Sequence, residues 1–384
     1  MGPLILQEVF VSDSPSRSSR PSRINILQGL RAYAALPVVL FHTGYTVPGV
    51  NKIGIFGVHM FFLLSGYIMA QISALDRHAF MRRRMIRVIP SYWFMTLLLY
   101  CVAVFFPRLL NATHAAPSEL LKSLFFIPFQ KSNGLFQPIL FVGWTINYEM
   151  YFYVVLGLAI LIWPRRPILL ASSVLLAITC VCSFFASANA ITTFYGDSVV
   201  LEFIFGLLAY QIVTAVPEHR RIRAKYLLVG TFVATLVLLP TIEAFGLFSS
   251  LPYVVRFGPL SFLLICSSCM LALNGNDLRI GWVVLLGDAG YTLYLVHPYI
   301  EMALDRIVAR RLPWFHITTT FGCLFAVALA FVISVFLYVR VEKPMLRYLN
   351  RKLCGRTRES PQGHGEAQHV ATQRATAIPS NSVA

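Results

Sequence analysis

Charge is scarce in this sequence. Only 12% of its 384 residues are Asp, Glu, Lys or Arg, about half of the roughly 25% usual in soluble globular chains. Acidic residues are scarcer still, 16 against 32 basic ones. With 57% hydrophobic residues beside it, that shortage excludes a disordered protein, a fibrous repeat and a cytosolic enzyme of ordinary composition. No internal repeat is present. Cysteine is sparse and says little. Six of seven (Cys101, Cys180, Cys182, Cys266, Cys269, Cys323) sit in apolar runs, and Cys354 lies in a basic segment. Cys266 and Cys269 make a C-x-x-C, but a redox or zinc pair needs a polar, accessible setting, so both read as small buried helix residues. A signal peptide is not expected either, because Ser12–Arg23 is polar and follows a run too short for an h-region. What the chain does have is apolar length. Its mean hydropathy of +0.68 describes a protein whose solvent is mostly lipid, where a spanning helix needs about 20 apolar residues.

The hydrophobic runs give ten candidate spans: 28–48, 53–72, 91–107, 143–163, 167–187, 198–216, 226–247, 253–273, 282–302 and 316–340. The expected fold is therefore all-α, a polytopic membrane protein of about ten transmembrane helices. Leu120–Phe129 is apolar but too short to cross and reads as an interfacial or re-entrant loop. Residues 1–23 read as a disordered cytoplasmic tail, 24–350 as one membrane domain and 351–384 as a second disordered cytoplasmic tail. The net charge of +16 would raise nucleic acid as a partner in a soluble protein. Here the positive-inside bias explains it better. With both termini cytoplasmic, 23 of the 32 Lys and Arg residues face the cytoplasm and 8 the opposite side, Arg31 lying within the first span. The cluster Arg306, Arg310 and Arg311 runs against this orientation. No nucleic acid and no metal is expected.

Ionisable groups inside spans are costly, about 2.5–3.5 kcal/mol at a helix centre, and usually face a cavity or a partner. Arg31 and His42 are eleven residues apart. On a helix this is roughly 16 Å and close to three turns, so both share a face. Histidine titrates near neutrality and, in a dry pocket, can take a proton from an alcohol and return it to a leaving group. It is equally a candidate for a bond to a nearby carbonyl. Arg84 and Arg87, in the loop Arg82–Arg87, are three apart and would share a helix face. Guanidinium forks fit phosphate oxygens; the pair also suits an anchor to lipid headgroups. Glu149, in Trp144–Phe152, lies inside an apolar span, where it could partner His42, orient an acceptor or tie helices together. Asn147 and Trp144 offer a polar and a stacking surface to a sugar, or plain packing. Glu202 lies near a span end, where structural roles dominate. His297 precedes Pro298, which frees a backbone carbonyl one turn back, so helix architecture is its first reading and a site its second. Glu342-Lys343-Pro344 ends the last span and is expected to fix its exit.

Together these pieces resemble the acyltransferase-3 family of integral-membrane acyltransferases, which O-acylate bacterial surface glycans. The resemblance runs from about Ile24 to Tyr348. Its carriers, in order, are Leu27-Gln28-Gly29-Leu30-Arg31-Ala32 with Leu40-Phe41-His42; Gly57-Val58-His59-Met60-Phe61-Phe62-Leu63-Leu64-Ser65-Gly66-Tyr67; Arg84-Met85-Ile86-Arg87; Trp144 to Phe152; Leu286-Gly287 to His297; and Tyr338 with Glu342-Lys343-Pro344. Each alone is weak, and six in order are strong. Two positions depart from the pattern: His59 stands where many members have aspartate, and Gln28 where aspartate is commoner. No periplasmic hydrolase-like domain is expected, which makes the chain similar to the short members acting on exopolysaccharides and Nod factors.

The resemblance implies an O-acetyltransferase of the bacterial inner membrane. Acetyl-CoA, or another short acyl-CoA, would enter from the cytoplasm and acylate a glycan or lipid-linked oligosaccharide, with polysaccharide synthesis machinery and membrane lipid as partners. It implies that Arg84 and Arg87 neutralise the CoA phosphates and that Arg31 lines the channel mouth. His42 would activate the hydroxyl or carry the acyl group, and Glu149 would orient His42 or the acceptor. Trp144, Asn147 and His297 would contact substrate. Competing readings are a flippase of lipid-linked sugars, against which stands the absence of duplicated halves with matching broken helices, and a non-catalytic partner in a polysaccharide synthesis complex.

Overall fold

The computed structural model describes residues 24–75, 77, 79–106, 116–131, 134–186, 189–308, 311–312 and 315–354. The expected tails over 1–23 and 355–384 lie outside these residues, as does Arg310 of the basic cluster. Among the described residues the chain is helical and has no strand. In order the helices are α1 (Ile26–His42), α2 (Ile55–Leu75), α3 (Phe80–Phe105), α4 (Pro117–Leu124), α5 (Trp144–Ile162), α6 (Pro167–Phe184), α7 (Ala190–Tyr195) and α8 (Val200–Ala215). There follow α9 (Glu218–Arg223), α10 (Lys225–Ala244), α11 (Tyr253–Leu273), α12 (Gly281–Asp288), α13 (Gly290–Ala303), α14 (Thr320–Leu337) and α15 (Lys343–Cys354). Wide π-helical turns at Leu304–Val308 and Tyr338–Glu342 follow α13 and α14.

Eight helical stretches among the described residues are long and apolar enough to cross a bilayer. Helix α1, at 17 residues, is shorter, and the expected span 282–302 is two helices, α12 and α13, that meet at Ala289. Large apolar side chains such as Phe94, Leu161, Phe184, Leu227 and Val332 are exposed on the outer faces. A soluble monomer rarely shows such patches, whereas lipid covers them. The chain is an all-α, multi-pass membrane protein.

Three local expectations are corrected. The arginine segment Arg82–Arg87 is no loop: it forms the first two turns of α3, which begins at Phe80 rather than near 91. Arginine favours helices, but its polarity hides the helix start from a hydropathy reading. Of the stretch Leu120–Phe129, residues 120–124 are the end of helix α4 rather than loop, and the chain then turns back so that Ser123 Oγ accepts from the Ile139 N–H at 3.0 Å. Residues 351–354, expected to be disordered, are the last turn of α15.

Two acids, Asp277 half-buried and Glu243 buried, start the helices that carry the site. Asp277 accepts the N–H groups of Asn25 and Ile26, both at 2.8 Å, at the head of α1. Glu243 of α10 accepts those of Gly54, Ile55 and Phe56 at 3.1, 2.7 and 3.2 Å at the head of α2. Free N–H groups at a helix start need acceptors, and the helix dipole favours a negative charge there. Further along, α2 crosses α8 glycine to glycine. A Cβ on Gly206 would stand 2.1 Å from the Leu63 carbonyl, and one on Gly66 would stand 2.4 Å from that of Phe203. In membranes such small residues let backbones approach, and this crossing fixes the relative height of α2 and α8.

Candidate active site

Two cavities lie back to back inside the helix bundle. The smaller, of about 140 Å³, is bounded by Arg31 of α1, Ser65 of α2, Arg84 and Arg87 of α3, and Glu149 and Tyr153 of α5. Three guanidiniums thus face it against one lining carboxylate. Arg31 and Arg84 are half-buried. Arg31 Nη1 donates to Gln28 Oε1 at 3.2 Å, and Arg84 Nε is buried with no hydrogen-bond partner. Arg87 is more constrained. It pairs with Glu342, donates to the Asp288 carbonyl at 3.4 Å and lies over the Tyr291 ring, 5.5 Å from its centre. Thr292 also donates to Glu342. Glu342 therefore anchors Arg87 across the bundle, a role its position at the end of the last span did not suggest.

Glu149 receives hydrogen bonds from Ser65 Oγ at 3.1 Å and from the Tyr153 hydroxyl. It lies with the arginines and not with His42, which lines the other cavity. A direct Glu149–His42 partnership is therefore replaced by Ser65 and Tyr153, because Glu149 sits a full turn or more inside α5 from the end where His42 lies.

The wider cavity, of about 420 Å³, is lined by His42, His59, Gln137, Trp144, Asp197 and Tyr253 among others, with no Lys or Arg. Helix α1 joins the two spaces, with Arg31 in one and His42, its last residue, in the other. The His42 ring packs 5.1 Å from that of His297 and 5.6 Å from that of Phe141, centre to centre. Among the described residues neither His42 nitrogen has a hydrogen-bond partner. His297 is fully buried, and its Nδ1 donates to the Leu293 carbonyl one turn back at 2.9 Å. Its Nε2 is buried and, among the described residues, without a hydrogen-bond partner. Trp144 borders the wider cavity, its ring edge-on to Phe62 and Tyr148. Asn147 borders neither cavity: it is 3% exposed, with Oδ1 unpartnered.

Val58 and Tyr294 line both cavities and form the partition between them. Thr145 Oγ1 donates to the Tyr294 hydroxyl at 2.7 Å, which donates to the Val142 carbonyl at 2.7 Å. This chain pins the ring in place. Ser65, Tyr153, Thr145 and Tyr294 were not singled out from the sequence. The hydroxyls of Thr145 and Tyr153, one turn either side of Glu149, were the one available sign.

Chemically, the arginine cavity suits a phosphorylated anion, since charge-assisted bonds to guanidinium are strong. The wider cavity suits an uncharged, partly apolar ligand beside an imidazole. Residues 24–338 match the family model Acyl_transf_3, described as Acyltransferase domain. The exopolysaccharide production protein ExoZ of Rhizobium meliloti (strain 1021) is 31% identical over 323 residues, which cover 80% of this chain and 95% of that protein. Acyltransferase MdmB of Streptomyces mycarofaciens is 25% identical over 380 residues, covering 87% and 94%. The peptidoglycan O-acetyltransferase OatA of Listeria monocytogenes serovar 1/2a (strain ATCC BAA-679 / EGD-e) is 28% identical over 183 residues, covering 41% of this chain and 28% of that one. No solved structure matches the chain.

Proposed function

The chain belongs to the acyltransferase-3 family, and on that premise we propose that it carries an acetyl or other short acyl group from acyl-CoA to a hydroxyl of a bacterial glycan. The acceptor is an exopolysaccharide, O-antigen or lipo-oligosaccharide, and the protein works in the inner membrane with both termini cytoplasmic and residues 24–350 as its catalytic domain. The names of the relatives, one tied to exopolysaccharide production and one to peptidoglycan O-acetylation, support the acceptor class.

The observation that carries this reading is the pair of abutting cavities with opposite chemistry. Arg31, Arg84 and Arg87 hold the phosphates of the donor, and Glu149 orders the arginines through Coulomb attraction at membrane depth. The donor arm passes the partition at Val58 and Tyr294 and presents its thioester beside His42. His42 accepts the proton of the acceptor hydroxyl as the oxygen attacks the thioester carbonyl. The tetrahedral adduct then collapses, the C–S bond breaks, and the proton passes from His42 to the leaving thiolate, giving the ester and free CoA. Trp144 and, through His42, His297 shape the acceptor side.

The test is His42→Ala in the producing cell. Acetyl content of purified polysaccharide, read by NMR, falls to background while the protein stays at its normal level in the membrane. Unchanged acetylation removes His42 from the reaction.

A further inference from the structure

The wider cavity contains a second imidazole that the reaction above leaves without a task. His59 of α2 is 7% exposed, and its Nδ1 donates to Glu202 Oε1 of α8 at 2.6 Å. Glu202 is fully buried and sits in the first turn of α8, where the helix dipole favours a carboxylate. The ring of His59 packs beside Tyr253 and Phe257, with ring centres at 5.3 and 5.8 Å. A carboxylate on Nδ1 fixes the tautomer and leaves Nε2 as an acceptor.

A histidine that only ties two helices needs no ring nitrogen open to a cavity. Here Nδ1 is satisfied. Among the described residues Nε2 has no hydrogen-bond partner, it is not sealed from solvent, and His59 lines the cavity. Among the described residues no carboxylate is hydrogen-bonded to His42 in the same cavity. The charge of the lining selects the ligand. Among the described residues no Lys or Arg lines this space, and Asp197 in its lining disfavours anions, while Gln137 and Ser198 offer neutral polar contacts. Tyr253 is 47% exposed and lines it. Aromatic walls with a few convergent polar groups suit the apolar face and hydroxyl edge of a sugar.

We infer that His59, held by Glu202, forms an acceptor subsite in which Nε2 receives a hydrogen bond from a hydroxyl of an uncharged sugar stacked on Tyr253. The inference rests on the acyl-transfer reading and adds a residue that sets acceptor affinity and is not required by the donor.

The test uses the full chain in nanodiscs with acetyl-CoA, and methyl β-glucoside and methyl β-galactoside as sugars. Release of CoA thiol is followed with and without sugar. His59→Asn keeps an N–H for Glu202 and loses the atom that faces the cavity; His59→Gln places an amide where Nε2 stood. With one acceptor bond lost, the sugar concentration for half-maximal release rises about tenfold in His59→Asn, and His59→Gln recovers part of it. Acetyl-CoA half-saturation and thiol release to water stay at wild-type values in both. Unchanged sugar half-saturation, or an equal loss of the water reaction, overturns the subsite. If the wild-type chain releases no thiol at all, the acyl-transfer reading fails, and the subsite is then judged by heat stability alone. The glycosides raise the melting temperature of the wild type and not of His59→Asn. An equal rise in both, or none in either, overturns the subsite.

Discussion

Arg87→Ala removes the cation around which Glu342 is packed, whereas Arg84→Ala removes one that, among the described residues, no carboxylate engages in an ion pair. The two neighbours on one face of α3 should therefore fail in different ways. Glu342 is 4% exposed, and after Arg87 is lost its remaining side-chain partner among the described residues is the Thr292 hydroxyl. Breaking a buried pair by removing one partner costs about 3–5 kcal/mol. Since the Arg87 side chain is 23% exposed, water recovers part of this, and about 3 kcal/mol is the expected loss. Arg84→Ala should leave stability near wild type. Its cost falls on the donor, where a charge-assisted bond contributes about 1.5–3 kcal/mol, or roughly tenfold to a hundredfold in acyl-CoA affinity. Thermal unfolding of the purified proteins in detergent and titration with acetyl-CoA read the two effects separately. Arg87→Ala melts early, and the added Glu342→Gln, which neutralises the stranded carboxylate, restores much of the loss. Arg84→Ala melts normally and binds weakly. Equal melting of the two single variants, or wild-type acetyl-CoA affinity in Arg84→Ala, would refute this division of labour.

Two further outcomes follow from the packing. Tyr294→Ala takes away the ring between the cavities together with its bonds to Thr145 and Val142; water then reaches the thioester, and the ratio of CoA released to glycan acetylated rises above the wild-type value. Gly206→Val forces side-chain atoms onto the Leu63 carbonyl, 2.1 Å from the first of them, whereas Gly230→Val meets nothing within 4 Å. Size-exclusion profiles in detergent should show the first variant aggregated and the second monodisperse.

The helical, membrane-embedded character of the chain was legible because it depends on composition and run length, which tertiary contacts do not alter. The placement of Arg31 and His42 on one helix was legible for a similar reason, eleven residues being close to three turns. Partnerships between helices were not. Glu149 meets Ser65 across 84 residues of sequence, and Arg87 meets Glu342 across 255. No local pattern encodes such pairs. The rule that a buried ionisable group needs a partner applied to His59 and Glu202 alike, yet it did not say that each was the other's. Nor did hydropathy show where α12 gives way to α13. Asp288-Ala289-Gly290 carries no proline, and the break is set by close packing: a Cβ on Gly287 would lie 2.0 Å from the Gln28 carbonyl of α1.

The most direct measurement is a structure of the purified chain with a thioether analogue of acetyl-CoA, which cannot transfer its acyl group. The expected density puts the phosphates among Arg31, Arg84 and Arg87, the arm between Val58 and Tyr294, and the acyl carbonyl beside His42. Phosphates in the wider cavity, or an acyl end that stops on the arginine side of Tyr294, would contradict a reaction carried out across that partition.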